Sequence, residues 1–254
     1  MGSRSWQRTP LLLLWAGLVA AWELALRVFD VPVHVLPTPS GVVRAFVGEI
    51  GWIAEHSWVT VQEILAGLGL AVVTAVPLAL VLVSSKLFRR AVYPIMVSAQ
   101  AAPKEALAPL FIMWFGFTML PKILMAAVIA FFPILVSTAV GLGRFDDRLR
   151  LVAASIGASR IRTFVSFRAW AALPAFFGSL RLGVTLATVG AVIGEFLGSD
   201  NGIGYLVLSA ARRLDGELLY ASLIILVALC LGLVALVDVV EARLLRGTRR
   251  EQFA

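Results

Sequence analysis

The sequence has very few of the residues that build disulfides and metal centres. Its 254 residues include one cysteine, Cys230, and two histidines, His34 and His56. A single cysteine cannot form an intramolecular disulfide, and one cysteine with two distant histidines is too few for a His/Cys metal site. Charged residues are also scarce, at 15% against about 25% in soluble proteins. Together these absences exclude an ordinary soluble enzyme.

Long apolar runs take the place of the missing residues. Hydrophobic residues make up 60% of the chain and the mean hydropathy is +0.94, while about 20 apolar residues are enough to cross a bilayer as a helix. The runs predict an all-α polytopic membrane protein that forms one transmembrane domain over residues 1–254. Its six spans are expected near residues 11–29, 59–85, 91–118, 122–143, 169–197 and 218–239.

The first run also fits a cleaved signal peptide, because it follows Arg4 and Arg8 and its apolar centre is short. We expect it to be retained as a span, since apolar character resumes through Val28 and Phe29.

The placement of basic residues predicts the topology. The formal net charge is +7, from 22 Lys and Arg against 15 Asp and Glu. If the N-terminus is cytoplasmic, most of the basic residues fall on the cytoplasmic side, as the positive-inside rule requires. Both termini are therefore expected in the cytoplasm, and the basic excess is explained by membrane lipid and topology without a nucleic-acid partner.

The largest predicted cytoplasmic segment, residues 144–168, mixes arginines with small residues. It fits a helix that lies flat on the membrane surface. It equally fits a docking helix, because Ala153, Ala154, Gly157 and Ala158 would let another backbone approach closely. The pattern alone favours neither interpretation.

Several blocks of sequence resemble permease subunits of ATP-binding-cassette (ABC) importers, and together they cover roughly residues 35–245. The stretch from Val152 to Arg160 resembles the EAA loop of these permeases, and Leu173-Pro174 resembles part of the helix that follows it. Four further blocks look like permeases for sulfonate, taurine, nitrate and related solutes: LPTPSGVVRAF from Leu36, PKEALAPLFIMWFGF from Pro103, FFPILVSTAVGL from Phe131 and GAVIGEFLGSDNGIGYLV from Gly190.

This resemblance implies a type I ABC importer permease fold in the inner membrane of a prokaryote. It also implies three partners: two ABC ATPase subunits, a second permease chain expected to be a copy of this one, and an extracytoplasmic solute-binding protein. The ATPase-coupling residues would be Val152, Ala153, Ala154, Gly157, Ala158 and Arg160.

The chain itself is not expected to hydrolyse ATP. A phosphate-binding loop needs GxxxxGK[ST], and the three lysines follow Ser85, Pro103 and Pro121 rather than glycine. We therefore expect no cofactor and no metal in this chain, with ATP and Mg²⁺ bound by the partner ATPase.

The loop departs from the family pattern at two places. Leu151 stands where the family usually has a glutamate, and Ala169-Trp170 replaces the usual first Leu-Pro pair. The docking role rests on the small residues and is kept, but a specific salt bridge from position 151 to the ATPase is not expected.

Ionisable residues within the spans are the candidates for solute contact, because charges in a bilayer persist mainly inside helix bundles. The predicted pathway residues are Gln100, Lys104, Glu105, Arg181 and Glu195. The alternative is structural: the four charged residues among them would pair within the bundle and never touch solute.

Within the family, the blocks from Pro103 and Gly190 look most similar to permeases for the pyrimidine precursor of thiamine or for riboflavin. Sulfonate, taurine, nitrate and bicarbonate permeases share the scaffold and remain the alternative. An anion would favour contact with Lys104 and Arg181, whereas a neutral heterocycle would favour Gln100 and Trp114.

Two other classes fit the sequence less well. A membrane-embedded enzyme would need clustered histidines and carboxylates, and the two histidines are far apart in the sequence. A membrane scaffold without transport activity would not need buried charges together with a docking loop.

Overall fold

A computed structural model describes residues 8–143 and 169–245, together with residues 155, 157, 159, 162 and 164. Helices dominate these ranges, and no strand occurs within them. The helices, in chain order, are α1 (Arg8–Val28), α2 (Pro39–Gly48), α3 (Ile50–Ser84), α4 (Lys86–Ala101), α5 (Ala108–Phe115), α6 (Met119–Gly143), α7 (Ala169–Gly198), α8 (Ile203–Arg212) and α9 (Gly216–Leu244), with a 3₁₀ turn at Lys104–Leu107 between α4 and α5. The predicted all-α fold class is confirmed.

Four helices of the described part are long and apolar enough to cross a membrane: α3, α6, α7 and α9. Three of them contain the predicted spans 122–143, 169–197 and 218–239. Helix α3 begins at Ile50, well before the predicted start near residue 59, because hydropathy locates the apolar part of a helix and not its polar first turns. The prediction of six spans stays a prediction, because the length and apolar composition of these four helices do not count the spans of the chain.

The third predicted span has to be corrected, because residues 91–118 do not form one continuous helix. Helix α4 ends at Ala101, and Ala102 is extended with φ −69° and ψ 138°. Pro103 causes this break: its ring disfavours helical backbone in the preceding residue, and it has no N–H to donate. The chain resumes as the 3₁₀ turn and α5, which ends before Gly116 at φ +70°.

The core is a three-helix packing in which α6 lies between α3 and α7. Small residues form much of it, including Ala71 and Ala75 on α3, Ala126 on α6, and Ala187 and Ala191 on α7, all fully buried. Small side chains at such contacts let helix backbones approach closely. A Cβ atom at Gly190 of α7 would lie 2.6 Å from the Ala126 Cα atom and 2.7 Å from the Met125 carbonyl oxygen.

Helix α9 packs differently from the other three. Only 6% of its most apolar 18-residue stretch is buried within the chain. Ile224, Val227 and Leu231 are exposed. It is an apolar helix at the periphery of this chain.

The close contact of α6 and α7 gives a stability prediction. Gly190→Ala adds a methyl group against backbone atoms that cannot move aside cheaply, so we expect a loss of about 1–3 kcal/mol, typical of overpacking. The thermal midpoint in detergent measures this. Gly178→Ala, on the same helix with no atom within 4 Å of its Cβ position, is the matched control and should be neutral or slightly stabilising. Equal midpoints for the two variants would contradict the close packing.

Candidate functional site

Three ionisable side chains meet inside the apolar bundle, one from each core helix. Glu63 of α3 is 0% exposed, Lys122 of α6 is 6% exposed and Glu195 of α7 is 1% exposed. The Glu63 Oε1 atom lies 2.6 Å from Lys122 Nζ. Charged groups are almost never fully buried unless they are paired, so this ion pair is what permits Glu63 and Lys122 to lie between apolar helices. We call Glu63, Lys122 and Glu195 the charged triad.

A glycine brings the third member of the triad into place. Gly194 precedes Glu195, and a Cβ atom at Gly194 would lie 2.9 Å from the Lys122 Cα atom. The backbone of α7 therefore passes directly over the first turns of α6, which begins at Met119. This contact sets Glu195 beside the Glu63–Lys122 pair.

Glu195 also holds the segment that connects α7 to α8. Its Oε2 atom accepts a hydrogen bond from the Gly204 N–H at 2.5 Å, and its Oε1 atom accepts one from Thr60 Oγ1 at 2.6 Å. Thr60 Oγ1 in turn accepts from the Ile203 N–H at 2.8 Å. The N–H groups at a helix start have no partner within the helix, and here side chains of α3 and α7 satisfy them at the start of α8.

His56 and Lys122 hold the same connection from its other side. His56 Nδ1 accepts from the Gly202 N–H at 2.9 Å, and Lys122 Nζ donates to Ser199 Oγ at 2.9 Å. Gly202 has φ +107°, a backbone conformation that favours glycine. The segment Ser199–Gly204, which we call the α7–α8 connection, is thus attached to α3, α6 and α7 by four polar contacts.

An open cavity of about 830 Å³ lies beside the triad. Lys122 belongs to its lining, together with Gln62 of α3, Phe117 before α6 and Tyr205 of α8. Three basic residues line it, Lys122, Arg212 and Arg213, against one acidic residue, Asp200. Its volume lies in the range of small-molecule sites, about 300–1,000 Å³, and it combines aromatic walls with a few polar groups, as such sites do.

The predicted pathway residues fall into three separate places. Gln100, Lys104 and Glu105 lie at the break between α4 and α5, where Lys104 Nζ donates to the Gln100 carbonyl at 3.1 Å and lies 5.4 Å from the Phe132 ring centroid. Gln100 and Glu105 are exposed. Glu195 belongs to the charged triad.

Arg181 lies in the first half of α7 and forms ion pairs with Asp238 and Glu241 of α9. Arg181 and Glu195 therefore have different partners on different helices. The structure does not bring the five predicted pathway residues together into one site.

Sequence reasoning missed Glu63, Lys122 and Asp238. Glu63 and Asp238 lie within predicted spans, so the rule that singled out Arg181 and Glu195 also applied to them. Lys122 is the first residue of the predicted span 122–143, and a charge at the edge of a span does not indicate burial. His56 and Thr60 had no comparable sequence signal, because their contacts depend on how α8 folds back.

Of the predicted ATPase-coupling residues, Val152, Ala153, Ala154, Ala158 and Arg160 lie outside the described residues. Gly157 is described: it forms a turn with φ +63°, and no atom lies within 4 Å of its Cβ position. A positive φ is strained for most other residues, so glycine is favoured here by backbone conformation as well as by small size.

Comparisons with known proteins agree with the membrane-spanning helices. Residues 64–250 match the model of a family described as "Binding-protein-dependent transport system inner membrane component". The chain is 34% identical to a probable ABC transporter permease protein of Haemophilus influenzae over 90% of this chain and 93% of the relative.

Two further relatives carry a named solute. The formylaminopyrimidine transport permease protein ThiX of Halalkalibacterium halodurans is 32% identical over 88% of this chain and 89% of its own length. The riboflavin transport system permease protein RibX of Chloroflexus aurantiacus is 34% identical over 90% of this chain and 86% of its own length.

The charged triad gives a second prediction. Lys122→Met removes the ammonium group and leaves the Glu63 carboxylate buried without a cation, so we expect a loss of about 3–5 kcal/mol. Folded yield and the thermal midpoint measure it. Lys104→Met is the matched control, because Lys104 is only partly buried and contacts a carbonyl and a ring rather than a carboxylate. Similar yields and midpoints for the two variants would show that the triad does not stabilise the bundle.

Proposed function

The chain belongs to the family of binding-protein-dependent transport system inner membrane components, and on that premise we propose that two copies of it form the solute pathway of an ABC importer. Two separate ATPase subunits would bind ATP and Mg²⁺ and drive the pathway between its outward-open and inward-open forms. The observation that carries this proposal is the family match over residues 64–250. The lack of a GK[ST] sequence supports a subunit that is not itself an enzyme.

The proposed orientation places both termini in the cytoplasm of a prokaryotic cell, as the distribution of basic residues favours. In this orientation the start of α6, the α7–α8 connection and α8 lie at the outer end of the bundle. The cavity beside Lys122 then faces the side from which a solute-binding protein delivers its ligand. We propose this cavity as the outer end of the solute pathway in each chain.

Gln100, Lys104 and Glu105 remain candidates for solute contact deeper in the pathway. They lie at a break between two apolar helices, and irregular backbone at membrane depth is tolerated only against protein or a water-filled cavity. Arg181 and Glu195 already have ionic or hydrogen-bond partners within the chain. Those partners favour the structural role for both residues.

For the solute, we propose a flat heterocycle related to a thiamine pyrimidine precursor or to riboflavin. The names of the relatives from H. halodurans and C. aurantiacus support this class. A second candidate is a small anion such as a sulfonate, taurine, nitrate or bicarbonate. It is favoured by one observation, the excess of basic over acidic side chains in the cavity lining.

Reconstitution of the complex tests the proposed function. The chain, purified in mild detergent with its candidate ATPase and binding protein, should form a complex of two permease chains and two ATPases. In liposomes this complex should take up formylaminopyrimidine or riboflavin when ATP is present, and taurine much more slowly. Preferential taurine uptake would support the anion instead. A monomer that captures no ATPase and transports neither class would contradict the assignment as an importer subunit.

The proposed coupling role of the loop gives a separate prediction. Gly157→Asp adds bulk and charge at a contact that the ATPase would desolvate, and burying an unpaired charge there is strongly unfavourable. We expect normal membrane insertion but loss of ATP-dependent uptake. Gly51→Asp, which also has no atom within 4 Å of its Cβ position but lies at the outer end of α3, is the control and should transport normally. Wild-type uptake by the Gly157→Asp chain would show that the loop is not the coupling element.

A further inference from the structure

The charged triad contains a buried carboxylate oxygen atom that no donor reaches. Glu63 Oε1 is paired with Lys122 Nζ at 2.6 Å, whereas nothing donates to Glu63 Oε2. The neighbouring polar group is the Glu195 carboxyl, which lies within hydrogen-bonding reach of Glu63. An ionised carboxylate can only accept hydrogen bonds. Two ionised carboxylates in this position would face each other with no hydrogen atom between them.

The hydrogen bonds that Glu195 already accepts limit where the missing donor can come from. Thr60 Oγ1 and the Gly204 N–H already donate to its two oxygen atoms. Neither donor can turn toward Glu63 without giving up Glu195. Lys122 Nζ is engaged with Glu63 Oε1 and Ser199 Oγ, so the remaining source of a donor for Glu63 Oε2 is the carboxyl pair itself.

The charges around the pair also do not balance if both acids are ionised. Lys122 supplies one positive charge against two carboxylates, all three almost fully buried. His56 adds no charge, because its Nδ1 atom accepts a hydrogen bond from Gly202 and so carries no proton. Thr60 and Ser199 are neutral hydroxyl groups.

The charged groups of the adjoining elements lie on the exposed side of the cavity. Asp200, Arg212 and Arg213 are exposed, and Tyr205 of α8 contributes a neutral phenol. Solvent screens the charges of exposed groups, so they do not compensate a net charge inside the bundle. Two carboxylates that share a buried site cannot both remain ionised at low cost.

We propose that Glu63 and Glu195 share one bound proton and, with Lys122, form a neutral proton-binding site between α3, α6 and α7. Binding forms one O–H bond on the carboxyl pair and breaks one in a hydronium ion of the water that enters the cavity lined by Lys122. The shared hydrogen supplies the donor that Glu63 Oε2 lacks. No other group changes its charge.

The proton site is also part of the attachment of the α7–α8 connection. The same Glu195 carboxyl that shares the proton accepts hydrogen bonds from Thr60 and Gly204. Loss of the proton would leave a net negative charge at the point where α8 is held against the core. The proposal does not depend on the solute or on the ATPase partner, because it rests only on contacts within this chain.

Infrared spectroscopy of the purified full chain at neutral pH tests the proposal directly. A protonated carboxyl group has a carbonyl band above the amide region, and this band shifts in D₂O. We expect such a band in the wild type and its loss in both Glu63→Gln and Glu195→Gln, because each variant leaves one carboxylate balanced by Lys122. Glu55→Gln changes an exposed glutamate on the same helix and should keep the band.

A second comparison covers the stability of the variants. The amide introduced by Glu63→Gln would offer an N–H to Glu195 and a carbonyl oxygen to Lys122, so this variant should fold with a thermal midpoint close to wild type. Glu63→Met offers neither group and should lose folded protein. Three results would overturn the proposal: no carboxylic acid band in the wild type, survival of the band in either glutamine variant, or failure of Glu63→Gln to fold.

Discussion

The ion pair between Glu63 and Lys122 is the contact on which the α7–α8 connection and the start of α8 depend. It joins α3 to the start of α6, and the close passage of α7 over Lys122 at Gly194 brings Glu195 to the same point. Glu195 then fixes the start of α8, and Lys122 fixes Ser199. Removing the Lys122 ammonium would leave two buried carboxyl groups without a cation, which costs more than the ion pair itself contributes.

A second set of ionic contacts joins the bundle at the other half of α7. Arg181 reaches Asp238 and Glu241 of α9, a helix with little apolar burial in this chain. Helix α7 is therefore connected to α3 and α6 by polar contacts near its end and to α9 by ionic contacts near its start. Helix α7 thus links the α3–α6 core to the peripheral α9, and it is the least hydrophobic of the four membrane-length helices.

Apolar runs were enough to predict the helical class and the positions of α6, α7 and α9, because hydropathy reports directly on membrane burial. The family was also predictable, since its sequence blocks are spread over most of the chain. Hydropathy failed at Pro103, where one backbone donor is lost within an apolar run, and at the start of α3. Hydropathy also does not reveal Glu63, because one charged residue changes the average of a long apolar run very little. The partnership of Glu63 with Lys122 joins residues 59 positions apart, and no helical period encodes such a pair.

The same ion pair constrains how the chain is made. During synthesis α3 leaves the ribosome before α6, so Glu63 enters the membrane region while its cation is still untranslated. An acidic side chain within a membrane span is costly, up to about 2.5–3.5 kcal/mol at the bilayer centre on translocon scales, and Glu195 follows 132 positions after Glu63. We therefore expect that α3 stays beside the translocon, or that the Glu63 carboxyl stays protonated, until Lys122 has been synthesised and inserted. The buried charge of α3 is thus neutralised only when a later helix, α6, has been made.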